Sequence, residues 1–220
     1  MKLAGFIMFE SWGFTNRPFT FCANSGLVSL FCFTRSMYIL QFDGMLHTSG
    51  SPRIPVSLLG YGWILQRNGM EIARGYGLFL RKCKTGSNIA EYLALINGLD
   101  ALIDLRLRHE SVEIRGDAKC VIDQMIGYAG VSSPLTKDLN RRARKLARRF
   151  TTLTWVWVPR HENRRADSLS RRSFNYLHYS PHLNREINMP QGYFSDGRLL
   201  PLVDLRVHTP TTQAGKYLPD

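Results

Sequence analysis

The sequence has no apolar run approaching the roughly 18–20 residues of a membrane span. Gly26 to Phe33 is apolar but short. No basic segment directly precedes it and no clean cleavage site follows, so a secretory signal is not expected. Cysteine is scarce: Cys22, Cys32, Cys83 and Cys120 are widely spaced, with no Cys-x-x-Cys pair. That spacing argues against a zinc site or a disulfide framework and for reduced thiols, so an intracellular protein of the nucleus or cytoplasm is expected. Acids are also few, 17 Asp and Glu against 29 Lys and Arg, for a formal charge of +12. Such an excess favours a polyanionic partner, nucleic acid above all. Neither membrane association nor an obligate protein partner is expected, and the chain has no internal repeats.

What is present is one domain's worth of periodic sequence between two segments that lack a period. Residues 1–36 scatter aromatics among Asn, Gly, Ser and Pro18 and read as an N-terminal extension. The domain spans 37–174. Its first strand, Met37 to Asp43, is apolar on both faces, as a central strand should be. Residues 45–59, with Gly50, Pro52 and Pro55, read as a loop. Gly60 to Gln66 and Met70 to Leu80 flank Asn68-Gly69, a strong hairpin signal. A helix over about 88–105 is marked by Ile89, Leu93, Ile96, Leu99 and Ile103, with Ser87 or Thr85 as its cap. A strand over 111–116, a helix over 118–128, a helix after Pro134, a strand over 152–158 and a helix over 164–174 follow. Strand alternating with helix implies parallel pairing in the second half. Residues 175–220 read as an irregular C-terminal tail.

Acids recur at comparable places in this pattern. Asp43 stands at a strand end, Asp117 just after another, and Glu91 in the first turn of a helix. In open α/β sheets, sites gather at the C-terminal ends of strands. Asp167 lies in the last helix, after a loop that holds His161. Each residue has a plain explanation by itself: a turn, a cap, an acid suited to the helix dipole, a solvated histidine. Converging carboxylates, however, repel one another and need a cation. Hard Mg²⁺ or Mn²⁺ is the natural partner of an all-oxygen set. Two such ions about 3.5–4 Å apart activate water and stabilise the leaving oxygen of a phosphodiester.

The ordered set is more specific than its members. It runs Phe-Asp43-Gly, Asn88-x-Ala-Glu91-Tyr-x-Ala-Leu, Arg-Gly-Asp117-x-Lys-x-Val-Ile-x-Gln124 and Val-Pro-Arg-His161-x-Asn163-x-x-Ala-Asp167-x-Leu-Ser. Across residues 37–174 this resembles the type-1 ribonuclease H family, in particular its compact plant, microbial and reverse-transcriptase-associated branch. The resemblance implies an α/β ribonuclease H-like fold: a five-stranded mixed sheet of order 3-2-1-4-5, the first three strands antiparallel, flanked by helices. It also implies a metal-dependent endonuclease that hydrolyses the RNA strand of RNA–DNA hybrids with two Mg²⁺ ions, or Mn²⁺. By motif, Asp43 would bridge both metals, Glu91 and Asp117 would complete one site and Asp167 would ligate the other. His161 would assist proton transfer or product release, and Asn88 would contact the minor groove, with Gln124 also near nucleic acid. Where the family often has Ser after the third acid this chain has Ala118, which removes a hydroxyl contact but no ligand.

Charge points to the same partner. From Arg141 to Arg172 there are eleven Lys and Arg and two acids. Asn163, Arg164, Arg165, Arg171 and Arg172 flank Asp167 and are the expected nucleic-acid contacts on this side. Two alternatives remain in view: a catalytically silent nucleic-acid-binding module derived from a mobile element, and a related nuclease with another nucleic-acid substrate. All these readings require Asp43, Glu91, Asp117 and Asp167 to meet in space.

Overall fold

A computed structural model describes residues 37–51, 54–81, 83–179 and 199–208. The chain divides between Thr34 and Arg35, and all described residues belong to the second part. The expected extension, residues 1–36, lies outside them.

The described residues open with three long strands, β1 (Tyr38–Ser51), β2 (Ile54–Arg67) and β3 (Met70–Arg81). Helix α1 (Asn88–Asp104), strand β4 (Ser111–Gly116), helices α2 (Lys119–Ile126) and α3 (Pro134–Ala147), strand β5 (Thr152–Trp157) and helix α4 (Arg164–Tyr179) follow. A nine-residue strand, β6 (Leu200–His208), ends the described residues. The sheet order is β5-β4-β1-β2-β3-β6. β1, β2 and β3 pair antiparallel, while β4 runs parallel to both β1 and β5. The five-strand order and directions expected from the sequence are therefore present, with a sixth strand added at the β3 edge. The β2–β3 turn falls at Asn68-Gly69, both with positive φ (50° and 82°), as a tight hairpin of this composition requires.

Alternation along β1 assigns the two layers. Leu40, Phe42 and Gly44 face α1, since a Cβ on Gly98 of α1 would meet Leu40 and one on Gly44 would meet Glu91. Gln41 and Asp43 point the other way, towards α4, where Ser170 reaches Asp43. Both faces of β1 are thus covered, which is why it reads as a continuous buried strand. Leu40, Phe42, Leu59, Leu65, Leu95, Ile96 and Leu99 are fully or almost fully buried in the main core. Burial of each such side chain is worth about 1.5–3 kcal/mol. α3 adds Leu139, Ala143 and Leu146 to the same core.

The structure corrects two expectations about elements. Residues 45–59 are not a loop: pairing continues from Met45↔Gly60 to Ser51↔Ile54. Gly44 and Gly50 mimic turn residues, but Val56 and Leu58 are buried with Leu78 and Leu80 in a small second cluster, which holds the hairpin arm on the sheet. The tail is not irregular throughout either. Residues 175–179 extend α4, and 200–208 form β6, antiparallel to β3. Pro201 is tolerated there because β6 lies at an edge. Polar contacts from distant residues also fasten β6: the buried Tyr61 hydroxyl donates to Asp204 Oδ1 at 2.6 Å, and Arg206 Nη1 donates to Asp104 Oδ2 at 2.8 Å. Burial and the Asp204 carboxylate push the Tyr61 phenol far up.

Candidate active site

Parallel pairing of β1 with β4 stops at Phe42 beside Gly116, so the next residues, Asp43 and Asp117, stand side by side where the two strands part. Asp117 follows the end of β4, but Asp43 lies inside β1, paired with Gly62, and not at a strand end as expected, because the β1–β2 arm continues to Ser51. The first turn of α1 is brought in by Gly44. A Cβ at that position would stand 2.1 Å from the Glu91 nitrogen, so only glycine lets strand and helix approach this closely. The Gly44 N–H in turn donates to Glu91 Oε2 at 3.0 Å. On the opposite face Gly62 plays the same part, since its Cβ would lie 2.4 Å from the Ser170 nitrogen of α4. Carboxylate oxygens of Asp43, Glu91 and Asp117 all lie within 4.8 Å of one another.

Each acid has a dedicated support. Asp43, only 5 % exposed, accepts a short hydrogen bond from the Ser170 hydroxyl. Asp117 Oδ1 accepts from Asn163 Nδ2 at 2.8 Å, and the other Asn163 amide proton goes to the Phe42 carbonyl at 2.8 Å. Asn163 thereby ties the end of β1 to the acid that follows β4. The Trp157 indole donates to the Asp117 carbonyl at 3.0 Å.

Crowding leaves an electrostatic mark. Burial raises the Asp43 carboxyl to about 6; the Asp117 and Asp167 charges add to the rise, and the Ser170 hydrogen bond opposes it. Burial, then Asp43 and Asp117, hold Glu91 well above the usual carboxylate range. Protons are thus retained where negative charge has no counter-ion. A hard divalent cation answers this donor set: all three donors are oxygens, and together they offer up to three negative charges within one ion's reach. The residues fit a metal.

Asp167 stands outside that mutual set of three. It lies near enough to raise Asp43, yet its Oδ1 accepts from Arg160 Nη2 at 2.6 Å and its Oδ2 from Arg171 Nε at 2.8 Å. Partial burial would raise its carboxyl, but the hydrogen bonds and charges of Arg171 and Arg160 outweigh that and lower it. The exposed His161 shares a cavity of about 480 Å³ with Arg160, Arg164 and Asp167. Its Nε2 stands 3.7 Å from Glu162 Oε1.

The expected nucleic-acid contacts divide. Asn88 is half-exposed at the start of α1 and lines a groove of about 660 Å³ with Lys84, Thr85 and Ser133. The helix has no side-chain cap: Ser87 sits at the cap position without a side-chain hydrogen bond, and the Thr85 hydroxyl is buried without a partner. Gln124 borders the same groove but is buried, and both ends of its amide are engaged. Its Oε1 accepts from the Tyr92 hydroxyl at 2.8 Å, and its Nε2 donates to the Gly130 carbonyl at 3.0 Å. Asn163 is fully buried. Neither is free to touch a ligand; polar residue type suggested a surface role, and burial overrides it. Arg171 is engaged by Asp167, Arg165 pairs with Glu71 at 2.5 Å, and Arg172 lies over the Tyr76 ring at 5.4 Å. Arg164 is exposed beside both His161 and Arg165.

Sequence reasoning passed over Arg160, Ser170 and Gly44. Ser170 stands three residues after Asp167, nearly one helical turn, and could have been placed on the site face by spacing. Arg160 immediately precedes His161, but nothing in the spacing says which acid it meets.

Fold and carboxylate cluster together define a ribonuclease H-like domain. A family model described as reverse transcriptase-like matches residues 59–173, and the chain belongs to that family. It is 38% identical over 84 residues to bifunctional protein Rv2228c of Mycobacterium tuberculosis, covering 38% of this chain and 22% of that protein. It is 33% identical over 130 residues to ribonuclease HI of Halobacterium salinarum, covering 59% of this chain and 60% of that one. The chain thus spans less than two thirds of the length of these curated relatives. Among solved structures, LC11-RNase H1 in complex with RNA/DNA hybrid superposes with a TM-score of 0.53 at 26% identity. That match covers 64% of this chain and 98% of the other.

Proposed function

We propose that the chain is a metal-dependent endonuclease that hydrolyses the RNA strand of an RNA–DNA hybrid. The observation that carries this is the meeting of Asp43, Glu91 and Asp117 within 4.8 Å in a protein with formal charge +12. A ribonuclease HI relative and a hybrid-bound structural neighbour support the choice of substrate.

Asp43, Glu91 and Asp117 would hold Mg²⁺, with Mn²⁺ as a substitute, and Asp43 with Asp167 would hold a second ion. Bound there, such ions supply an acidified water and neutralise charge on the phosphodiester. The chain itself does the positioning. Ser170 and Asn163 fix the orientations of Asp43 and Asp117, and the Gly44 N–H fixes Glu91. Arg160 and Arg171 keep Asp167 ionised and would meet the incoming phosphate. His161, exposed in the Asp167 cavity, would deliver a proton to the departing ribose oxygen or assist product release. Asn88 and its groove would receive the minor groove of the hybrid, where a 2′-hydroxyl tells RNA from DNA.

One observation favours a second reading, a binding module without turnover: Asp167 is engaged by two arginines. A substrate panel in Mg²⁺ separates the two. Labelled hybrid, duplex DNA and duplex RNA are incubated with the wild type and with Asp43→Asn. Cleavage confined to the RNA strand of the hybrid is expected from the wild type. Asp43→Asn should lose at least about a hundredfold, since even outer-shell partners of metal ligands cost 10–100-fold. Hybrid binding without cleavage would establish the second reading.

A further inference from the structure

We propose that the outer face of α3 is a second nucleic-acid contact, a phosphate track separate from the carboxylate site. Lys137, Arg141, Lys145 and Arg148 follow one another at intervals of four, four and three residues, and all four are exposed. That spacing lines them up on one side of the helix, with neighbours about 6 Å apart along its axis, close to the separation of successive phosphates on a strand. The opposite side, with Leu139, Ala143 and Leu146, is buried in the core, so the basic side faces solvent.

Local structure does not account for the row. Cations near a helix C-terminus suit its dipole, which explains Lys145 and Arg148. Lys137 stands in the first turn, where the dipole disfavours it. Lys137, Arg141 and Lys145 are also like charges one turn apart, which destabilises a helix that has no counter-charge. Asp138 supplies one, to Arg141. Among the described residues, Lys137, Lys145 and Arg148 have no acidic partner.

A polyanion relieves this repulsion. Nucleic acid fits better than an anionic membrane, because the exposed positions of α3 from 137 onwards are Lys137, Asp138, Arg141, Arg142 and Lys145, with no large apolar side chain to enter a bilayer. The track is also continuous with the candidate substrate groove, since Pro134, Leu135 and Thr136 at the start of α3 line the groove that holds Asn88. A duplex seated there would extend along α3. The inference rests on the nucleic-acid substrate proposed above, but not on catalysis.

The test is the salt dependence of binding, with metal chelated so that no strand is cut. Fluorescence anisotropy with a labelled 20-base-pair hybrid gives Kd across a KCl series for the wild type and for the fourfold variant Lys137→Gln, Arg141→Gln, Lys145→Gln, Arg148→Gln. Each lost phosphate contact should reduce the log–log slope by about 0.9, so the fourfold variant should lose about 3 or more, and Lys145→Gln alone about 0.9. Arg141→Lys with Arg148→Lys should keep the wild-type slope. A thermal melt confirms that the variants fold, which exposed substitutions permit. Unchanged slopes overturn the track even where the wild type cleaves hybrid in Mg²⁺. Reduced slopes uphold it even where the wild type cuts nothing, in which case the proposed activity fails instead.

Discussion

Asp43→Asn should make the metal-free protein more stable while removing its activity, because the site stores repulsion. The Asp43 carboxyl stands at about 6 instead of its ordinary 3.8, a difference of 6 − 3.8 or about 2.2 units. At about 1.36 kcal/mol per unit, that is about 3 kcal/mol held against the folded state when the group is ionised. The sign follows from proton uptake. Between 3.8 and 6 the folded protein binds a proton at Asp43 more tightly than the unfolded chain does. Acidification through that window therefore stabilises the fold, and above it the penalty is fully present. An amide at this position keeps an acceptor for Ser170 and carries no charge. It also removes the Asp43 charge that raises Glu91. In EDTA at pH 7.5, thermal unfolding followed by circular dichroism should show a Tm gain of about 6–12 °C, at about 2–4 °C per kcal/mol for a chain of this size. At pH 5, where only 5 − 3.8 or about 1.2 units of the difference act, the gain should fall to about half. Mg²⁺ should raise the wild-type Tm, by about 2.7 kcal/mol of stability at a hundred times its Kd, and leave the variant nearly unmoved. An unchanged or lower Tm in EDTA at pH 7.5, or a gain indifferent to pH, would refute the account of a crowded, desolvated carboxylate.

Two further substitutions probe the supports. Gly44→Ala drives a Cβ to 2.1 Å from the Glu91 nitrogen, a backbone atom that cannot swing aside. Urea unfolding should show a loss of about 3 kcal/mol or more, at or beyond the upper end for overpacking, while Gly86→Ala, with open space around it, should be close to neutral. Asn163→Ala strips the donor from the Phe42 carbonyl and from Asp117, and should cost about 1–3 kcal/mol. In calorimetric titration it should also weaken Mg²⁺ binding by about 10–100-fold, as loss of an outer-shell orienter does. Unaltered Mg²⁺ affinity would mean that Asn163 staples the fold without orienting Asp117.

The order and direction of the first five strands were legible because each strand carries its own pattern and each connection is short or helical. β6 was not. Its partner β3 lies more than a hundred residues earlier, and reading 175–220 as irregular passed over the alternation of Val203, Leu205 and Val207 with Asp204, Arg206 and His208, which is the period of a strand. Beyond their backbone pairing with β3, Asp204 and Arg206 fasten β6 by meeting Tyr61 and Asp104, contacts that no local pattern announces. Gly44 and Gly50 misled for a related reason. Sequence shows that a glycine is there, not whether a turn or an approaching helix requires it. At Gly44 the helix is the reason, and the carboxylate cluster depends on it.

The same distinction separates the four acids. Asp43 stands where β1 parts from β4, Asp117 follows the end of β4 and Glu91 opens α1, so topology brings them together, and their order in the sequence was enough to find them. Asp167 was placed with them by its motif, but topology sets it at the rim, where it is less buried than Asp43 or Glu91. There a carboxylate can stay ionised if cations are near. One of its two partners, Arg171, is legible at i+4 on the same helix. The other, Arg160, arrives across the loop that carries His161, seven residues upstream and outside the helix, where helical spacing no longer applies. A second cation must therefore compete with two guanidinium groups for Asp167, whereas a phosphate entering the site would draw those same guanidinium groups away. On that account, occupancy of the Asp167 side by metal and occupancy of the cleft by a polyanion favour each other, while Asp43, Glu91 and Asp117 can take a cation unaided.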